Sequence, residues 1–325
     1  MKAVVLLGGE GTRLRPLTFS TPKPMLPVAG RPVIERVLDH LSANGVDEVV
    51  LSLCYRPDAF VQAFPDGRYG DVRLHYAVEA SPLATAGAIA FAAAEAALGG
   101  ETFLVVNGDV LTEIDLSALV DFHRSQGAEG TVALVPIEDP SQFGVVPVDA
   151  EGRVTAFIEK PQPGKAPTNM VNTGIYVLEP SFLERVPKGR RVSVEREVFP
   201  SMAAAGSLYA LGSEALWTDM GTPLKYLEAN LAWARREGAA HASRDAGVVD
   251  SVVDHTAVIG PGCVVHEAVV LHGARLKPGA TVKRSIIGPG VVVGSGAVVE
   301  GLSVLGQGWE VADGEALDGA RLPAG

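Results

Sequence analysis

The chain has 325 residues, 47% apolar and 20% charged, with a formal net charge of −11 at neutral pH. This length suffices for one large domain and a smaller one, and the composition is that of a globular protein. No run of basic residues longer than a pair occurs, so the electrostatic footprint for nucleic acid or an anionic membrane is missing. We therefore expect no nucleic-acid and no membrane partner.

The sequence also lacks the marks of a secreted or membrane-spanning chain. Its cysteines are Cys54 and Cys263, and it has neither a charged-then-apolar leader nor an apolar run of about 18 residues. The cytoplasm is the predicted compartment.

The first two thirds of the chain alternate strand-like and helix-like patterns. "KAVVLL" predicts a buried strand, and "RPVIERVLDHLSANG" predicts a helix with one apolar face. Strands are predicted again at "DEVVLSLC", "VRLHYAVE", "TFLVVNGD" and "TVALVPI", and helices at "TAGAIAFAAAEAAL" and "DLSALVDFHRSQG". This order predicts a Rossmann-like, doubly wound α/β domain with a mostly parallel sheet over residues 1–238. The loops "GGEGTR" and "NGD" should meet where strands end, at the ligand-binding edge of such a sheet.

The sequence pattern changes near residue 239. The small, polar stretch within residues 239–250 predicts a linker. Over residues 251–325 an apolar residue then recurs every six positions with one step of four, which predicts a short left-handed parallel β-helix of about three turns. Such a small domain is expected to pack on the first domain and to form a homo-oligomer. The nine positions in phase are Val258, Val264, Val270, Leu276, Val282, Ile286, Val292, Val298 and Val304.

The stretch "LLGGEGTRLRPLT" at residues 6–18 is a glycine-rich turn directly after the first predicted strand. It is not a P-loop, because the required lysine is absent, nor a dinucleotide fingerprint, because Leu14 stands where a small residue is needed. Its backbone NH groups can surround phosphate oxygens, and Arg13 adds a planar fork of donors. We predict a phosphate site, with a simple tight turn as the alternative.

Several motifs resemble the sugar-1-phosphate nucleotidyltransferases, also called nucleotide-sugar pyrophosphorylases. They are "LLGGEGTRLRPLT" with "TPKPMLP", then "VVNGD", "FGVVPVDAEGRVTAFIEKP", "VNTGIYVLEP" and "WTDMGTPLKYLEAN", so the resemblance covers nearly the whole chain. Leu7 departs from the small residue of many members. The mannose-1-phosphate guanylyltransferase branch often has valine there, and "SVEREVFP" at residues 193–200 also resembles that branch.

The resemblance implies attack of a sugar-1-phosphate oxygen on the α-phosphorus of a nucleoside triphosphate, with release of pyrophosphate. The nucleophile is already anionic, so the protein has to align negative groups and neutralise charge rather than supply a base. Asp109 and Asp219 are then expected to bind Mg²⁺. Arg13 is expected to bind the triphosphate and Lys23 to bridge the reacting phosphates. Local sequence alone also allows an Asx turn or helix cap at either aspartate and an exposed lysine at position 23.

The matched motifs also imply the binding residues. Glu159 and Asn172 would contact sugar hydroxyl groups, Gly144 would let backbone approach the ring, and Lys160 would reach the sugar phosphate. Thr173 replaces a common alanine and adds a hydroxyl near the sugar. The predicted nucleotide-binding residues are Leu7, Gly8, Gly9, Gly11, Thr12, Arg13, Glu79, Ala84, Thr85 and Gly108.

The position of Glu79 bears on the base. A carboxylate accepts two hydrogen bonds, which suits the ring NH and exocyclic amine of guanine, whereas a pyrimidine fits an amide better. GTP is therefore predicted, unless Glu79 faces solvent. Ala84, where the family commonly has glycine, could shift the backbone nearby.

These expectations combine into an enzyme that forms GDP-mannose from GTP and mannose-1-phosphate. The alternatives are a glucose-1-phosphate thymidylyl- or uridylyltransferase, GDP-heptose synthesis, or a non-catalytic regulatory homologue. An acetyltransferase function in the β-helix is disfavoured by its shortness. His266 and His272, which would stack on one face, are interpreted as structural.

Overall fold

The computed structural model describes residues 1–238 and 247–323. The chain divides into two compact units, here called unit 1 (Met1–Gly9 with Ile34–Trp217) and unit 2 (Glu10–Val33 with Thr218–Gly325). Most of the predicted linker, residues 239–246, and the last two residues lie outside the described residues. Strand pairing of the β-helix already begins at Val248. The domain limits proposed from the sequence stay predictions.

The helices include those predicted from the apolar periodicity. The α-helices are α1 Val33–Ala43, α2 Pro57–Ala63, α3 Ala84–Glu95, α4 Leu116–Gln126, α5 Phe199–Ala204 and α6 Pro223–Arg236. Short 3₁₀ segments are Thr12–Leu14, Leu17–Phe19, Lys23–Met25, Pro140–Gln142 and Pro180–Arg185, and Val194–Val198 is a π-helix.

The strands before the β-helix are β1 Lys2–Leu6, β2 Pro27–Val28, β3 Arg31–Pro32, β4 Glu48–Leu53, β5 Arg68–Tyr69, β6 Val72–Val78, β7 Phe103–Asn107, β8 Val110–Thr112, β9 Gly130–Pro136, β10 Gly144–Val145, β11 Ile158–Glu159, β12 Met170–Leu178, β13 Leu208–Gly212 and β14 Trp217–Asp219.

The strands of the β-helix are β15 Val248–Val249, β16 Val252–Val253, β17 Val258–Ile259, β18 Val264–His266, β19 Val269–Val270, β20 Arg275–Leu276, β21 Thr281–Lys283, β22 Ile286–Ile287, β23 Val292–Val293, β24 Val298–Glu300, β25 Val304–Leu305, β26 Glu310–Val311, β27 Ala316–Asp318 and β28 Arg321–Leu322.

The sheet of unit 1 confirms the Rossmann-like α/β prediction and is mixed. Strands β7, β1, β4 and β6 lie side by side and parallel. Strand β12 is antiparallel between β7 and β9, and β13 is parallel to β9. The chain enters β12 from the β10–β11 hairpin without a crossover helix, which explains the reversed direction.

Burial follows the sequence patterns that predicted these elements. Every residue of β4 is buried, as expected for an apolar strand covered on both faces. Helix α4 is capped by the Asp115 side chain, which accepts from Ala118 N, and it ends at Gly127 with φ +57°. The predicted apolar face of α1 is buried at all its positions: Val33, Ile34, Val37, Leu38 and Leu41.

Unit 2 contains a parallel β-helix with three faces. Its strands form three parallel sheets, β15-β18-β21-β24-β27, β16-β19-β22-β25-β28 and β17-β20-β23-β26. This is the predicted left-handed hexapeptide architecture, and its 14 strands make more than the three turns expected from the sequence. The side chains that face the interior are Val248, Val253, Ile259, Val265, Val270, Leu276, Val282, Ile287, Val293, Val299, Leu305, Val311, Leu317 and Leu322.

The six-residue period does not by itself tell which residue of each strand faces the interior. Of the nine positions in phase, Val270, Leu276 and Val282 face inward. The other six each directly precede an inward residue: Val258, Val264, Ile286, Val292, Val298 and Val304. Val265 pairs with Val282, so this coil takes 17 residues and one of its sides has five rather than six, whereas Val299 pairs with Leu317 in a coil of 18 residues. Both residues of most of these short strands are apolar. Composition alone therefore does not tell which of the two side chains faces the interior of the β-helix.

One outer face of the β-helix is buried as well. Val269, Ile286 and Val304 point outward from the second sheet, yet each is 0% exposed. Within unit 2, helix α6 packs against β16. A Cβ at Gly306 would lie 2.9 Å from the Cβ of Pro16, so the segment 10–33 also rests closely on this face.

His266 and His272 of the β-helix do not stack. His266 is exposed at the end of β18 in the first sheet, whereas exposed His272 follows β19 of the second. Among residues 1–238 and 247–323, no helix combines the length and apolarity needed to cross a bilayer.

Substitutions at two neighbouring valines test the observed register of the β-helix. Val265 is 0% exposed and Val264 is 41% exposed. Val265→Ala should lower the free energy of unfolding by about 2 kcal/mol, because it removes buried methyl groups and leaves a cavity. Val264→Ala should change it by less than about 0.5 kcal/mol. Urea titrations measure both, and a larger loss at Val264 than at Val265 would contradict the observed register.

Candidate active site

Three predicted segments of unit 1 meet at one edge of the sheet. Gly8 follows β1, Asp109 follows β7, and Glu79 follows β6. These strands are parallel, with Leu6 opposite Asn107 in adjacent strands. The predicted phosphate loop, the first predicted metal ligand and the predicted base-reading residue therefore share the carboxyl edge where such sheets bind ligands.

Leu7 and Gly108 pack against each other at this edge of the sheet. Leu7 is 3% exposed, and a Cβ at Gly108 would overlap its Cδ2 atom. The Gly108 NH donates to Leu6 O at 3.0 Å, which extends the pairing of β1 and β7. Gly8 and Gly9, in contrast, are exposed. The buried side chain of Leu7 thus packs against Gly108 and supports the loop. The glycines of the loop leave its backbone accessible to a ligand.

Glu79 is buried rather than facing solvent. Its side chain accepts from Ser52 Oγ at 3.2 Å and from Leu83 N at 2.9 Å, one bond on each carboxylate oxygen. These bonds hold the turn from Glu79 to the start of α3. An ionised carboxylate can accept about four hydrogen bonds, so capacity for a ligand remains.

The first two residues of α3 have an unusual backbone conformation and fixed side-chain hydrogen bonds. Ala84 has φ +57°, a left-handed conformation that costs an L-residue roughly 1–2 kcal/mol. The Thr85 hydroxyl donates to Glu195 Oε2 at 2.7 Å and accepts from Val194 N at 2.8 Å. Thr85 therefore connects α3 to the π-helix, and its hydroxyl hydrogen is already committed within the protein.

The predicted sugar residues lie on adjacent strands of unit 1. Gly144 in β10 is paired with Glu159 in β11, and β10 is paired in turn with the start of β12, where Asn172 lies. A Cβ at Gly144 would lie 3.1 Å from Glu159 Oε2, so glycine permits this close approach. Lys160 follows with φ +50°, and its Nζ is 3.5 Å from Glu159 Oε1. Strained backbone of this kind is common at ligand sites.

A bulge in β12 positions Asn172. The register with β9 shifts between Asn172 and Tyr176, and such bulges re-aim side chains next to active sites. Asn172 donates to the Tyr176 hydroxyl at 3.0 Å and accepts from Gly174 N at 2.9 Å. Burial, with the negative charges of Glu195 and Glu159, raises the pKa of Tyr176 well above its ordinary value. Tyr176 is therefore a neutral phenol that holds the amide of Asn172.

The Thr173 hydroxyl does not point to a sugar. Thr173 is 1% exposed, and its hydroxyl donates to Ala133 O at 2.8 Å. Its carbonyl oxygen accepts from Trp217 Nε1 at 3.0 Å. The expected extra hydroxyl near the sugar is thus used inside the sheet.

Unit 2 holds the remaining signature residues. Gly11 has φ +64°, and a Cβ there would lie 3.0 Å from Thr18 Cγ2 and 3.1 Å from Lys23 Cβ. Buried Thr18 donates its hydroxyl to Gly11 O at 2.9 Å. Thr12 and Arg13 are exposed, whereas Lys23 is 7% exposed. The interpretation of Lys23 as an ordinary surface lysine is therefore wrong.

Asp219 lies between two ammonium groups. Lys23 Nζ is 3.6 Å from Asp219 Oδ1, and Lys225 Nζ is 3.4 Å from Asp219 Oδ2. A Cβ at Gly221 would lie 2.9 Å from both Arg13 Nη2 and Asp219 Oδ2. Arg13, Lys23, Lys225 and Asp219 therefore form one charged cluster, called here the Asp219 cluster, and Gly221 provides its space.

The available oxygen donors fit Mg²⁺. Carboxylate oxygens are its usual protein ligands, and one or two of them suffice when phosphates and water complete the coordination. Asp109 is half-buried, and the side chain of Asp219 is 19% exposed. Among the described residues no group of three or more His, Cys, Asp or Glu side chains converges on a metal position. Each aspartate, taken by itself, offers the carboxylate oxygens that Mg²⁺ prefers.

Comparison with known sequences identifies the class of protein. The nucleotidyl transferase family matches residues 2–236, and the GMPPB C-terminal domain matches residues 239–323. The chain belongs to the nucleotidyl transferase family.

Individual relatives extend this result along the chain. A mannose-1-phosphate guanylyltransferase of Mycobacterium tuberculosis is 41% identical over 98% of this chain and 79% of its own length. The Arabidopsis thaliana mannose-1-phosphate guanylyltransferase 1 is 38% identical, covering 96% and 93% of the two chains. Both alignments continue through the β-helix.

Solved structures share the fold of the larger part of the chain. HddC from Yersinia pseudotuberculosis, also known in complex with GMP-PN, aligns with a TM-score of 0.62 at 28% identity, covering 71% of this chain and 99% of that one. A putative glucose-1-phosphate thymidylyltransferase from Bacillus anthracis aligns with a TM-score of 0.65 at 25% identity, covering 72% and 95%.

The sequence motifs did not single out Gly221, Lys225 or Glu195 as site residues. Gly221 and Lys225 lie within "WTDMGTPLKYLEAN", and Glu195 lies within "SVEREVFP". Gly221 and Glu195 make contacts that bring distant segments together, as when Glu195 accepts from Thr85. Lys225 instead pairs with Asp219, six residues before it.

Gly221→Ala should reduce nucleotidyl transfer by about 10²-fold or more, because its Cβ would displace Arg13 and Asp219. Gly100→Ala is the control, since nothing lies within 4 Å of a Cβ there. The measurement is the rate of pyrophosphate release. A Gly221 variant as active as the control would show that the arrangement of the Asp219 cluster is not needed.

Ala84→Gly should raise the free energy of unfolding by up to about 1 kcal/mol, since glycine adopts φ +57° without strain. Ala90→Gly, in the half-buried middle of α3, should lower it by about 1 kcal/mol or more. Thermal unfolding without ligand measures both. Equal destabilisation by the two changes would contradict a strained conformation at Ala84.

Proposed function

We propose that this protein transfers a guanylyl group from GTP to mannose-1-phosphate, forming GDP-mannose and pyrophosphate. Its family acts on nucleoside triphosphates and sugar-1-phosphates. The observation that carries the proposal is the similarity to mannose-1-phosphate guanylyltransferases along almost the whole chain. Within unit 2, Arg13, Lys23 and Asp219 carry charged groups that this reaction needs.

In the proposed reaction a phosphate oxygen of the sugar-1-phosphate attacks the α-phosphorus of GTP. The bond from that phosphorus to the bridging oxygen of the β-phosphate breaks, and pyrophosphate leaves. The attacking oxygen is already anionic, so no base is needed, and catalysis rests on alignment and charge neutralisation. Lys23, held at Asp219, supplies a buried positive charge for the reacting phosphates. Exposed Arg13 supplies the planar donors for the triphosphate.

Enzymes of this family generally use a divalent metal ion. We propose Mg²⁺, held by Asp109 and Asp219, because both are carboxylates that precede or follow glycine-containing turns. When bound, the ion would neutralise phosphate charge during transfer. Asp109 and Asp219 would hold the ion through their carboxylate oxygens, and Lys23 pairs with the Asp219 carboxylate at 3.6 Å.

For the base, the support is the burial and bonding of Glu79. Its carboxylate is held by Ser52 and Leu83 N and keeps acceptor capacity for the two NH donors of guanine. A pyrimidine such as uracil offers one ring NH beside two carbonyl oxygens, and a carbonyl oxygen facing the carboxylate is repelled, which disfavours a pyrimidine. For the sugar, Glu159 and Asn172 are the proposed hydroxyl ligands and Lys160 the phosphate ligand. The remaining predicted binding residues, the cytoplasmic location and the homo-oligomer stay predictions.

The first test is pyrophosphate release with Mg²⁺ from GTP, dTTP, UTP, ATP and CTP, each with mannose-1-phosphate or glucose-1-phosphate. We expect turnover with GTP and mannose-1-phosphate. Preference for dTTP or UTP with glucose-1-phosphate would contradict the base and sugar assignments and leave the phosphate chemistry standing. A folded protein inactive on every pair would support a regulatory role.

Asp109→Ala, Asp219→Ala and Lys23→Ala should each lower turnover by at least about 10²-fold, the usual effect of losing one preorganised electrostatic partner. Circular dichroism verifies that each variant is folded. A near wild-type rate in any one variant would remove that residue from the mechanism.

A further inference from the structure

We propose that Lys225 makes metal binding at Asp219 depend on the nucleotide, so that a divalent ion enters with the polyphosphate rather than before it. The inference rests on the proposed function, because it requires a nucleoside triphosphate at this site. It concerns a lysine to which the sequence motifs gave no role.

The position of Lys225 is set by the start of α6. Thr222 caps the helix by accepting from Lys225 N at 3.3 Å, and Pro223 occupies its first turn. The Lys225 side chain returns to Asp219 and donates to Oδ2 at 3.4 Å. Since Lys23 faces the other oxygen, Oδ1, at 3.6 Å, each oxygen of the proposed metal ligand faces an ammonium group.

In the Asp219 cluster, three cationic side chains lie around the single carboxylate of Asp219: Arg13, Lys23 and Lys225. A divalent cation that binds either oxygen of Asp219 has to displace an ammonium group and is repelled by the neighbouring positive charges. A triphosphate, or its complex with one divalent ion, is negative and is attracted to the same side chains.

Lys225 is the member of the pair that can move. Its side chain is 36% exposed, whereas that of Lys23 is 8% exposed. Lysine carries a point charge on a flexible stem, so its ammonium can pass from a carboxylate to a phosphate oxygen. When a polyphosphate arrives, Lys225 releases Asp219 Oδ2 to the metal and pairs with the phosphate. The exchange keeps every charge paired.

The direction of the effect separates this role from a structural one. If Lys225 only held Asp219 in place, its loss would weaken metal binding. If it competes with the metal, its loss strengthens binding of the metal alone and weakens binding of the nucleotide. The two roles predict opposite changes for the same substitution.

The experiment is a titration with Mn²⁺ followed by electron paramagnetic resonance, without and with GTP. Lys225→Met should bind Mn²⁺ alone about tenfold more tightly than the wild type, because one positive charge near Asp219 is gone. Lys225→Arg keeps the charge and should bind Mn²⁺ as weakly as the wild type. Lys188→Met, at an exposed lysine of unit 1, is the control and should change nothing. The KM for GTP should rise several-fold in Lys225→Met alone.

The two proposals fail in different ways. Mn²⁺ binding to Lys225→Met that is equal to or weaker than wild-type binding would overturn the role of Lys225, and Lys225→Gln repeats this arm with a polar side chain. Failure of the wild type to bind GTP with Mn²⁺ would overturn the proposed function and, with it, the inference. Thermal unfolding of each variant verifies that a change in binding is not a loss of folding.

Discussion

The Asp219 cluster is the constraint to which the other features of unit 2 adapt. Lys23 and Lys225 face the two oxygens of one carboxylate at 3.6 and 3.4 Å, and Arg13 approaches the same space beside Gly221. Exposed ion pairs contribute little to stability, but Lys23 is buried, and a buried charge without a partner is costly. The arrangement holds positive charge in place before any ligand arrives. Such preorganisation is what phosphoryl chemistry requires of a protein.

Glycine supplies the complementary constraint, which is space. A Cβ would overlap Leu7 at Gly108, approach Glu159 at Gly144, and meet both Arg13 and Asp219 at Gly221. In each case the missing side chain lets a functional group or its support come closer than any other residue would allow. Each of these glycines therefore makes room for a different neighbouring group, and this space rather than backbone flexibility is what the glycine provides.

The β-helix of unit 2 also supports part of the signature segment. Its second sheet is buried on its outer side, where Val269, Ile286 and Val304 have no exposed surface. Pro16 of the segment 10–33 packs on Gly306, and α6 packs on β16. Tyr226 of the same helix donates to Pro27 O. Residues that carry Arg13 and Lys23 thus gain their rigidity from the hexapeptide repeats and α6 together.

Local pattern was sufficient for the elements and for the motif residues at strand ends. The apolar period predicted α1 and its buried face, and the parallel strands then placed Gly8, Glu79 and Asp109 at one edge. Tertiary structure decided what no local period encodes. The antiparallel β12 with its bulge and the pairing of Lys23 with Asp219 depend on segments far apart in the chain. The length of each β-helix coil, 17 or 18 residues, depends on which strands stack on one another. The period of apolar residues in a sequence indicates which residues share one face of a helix or strand. Strand register and the pairing of charges depend on which other segment packs against that face.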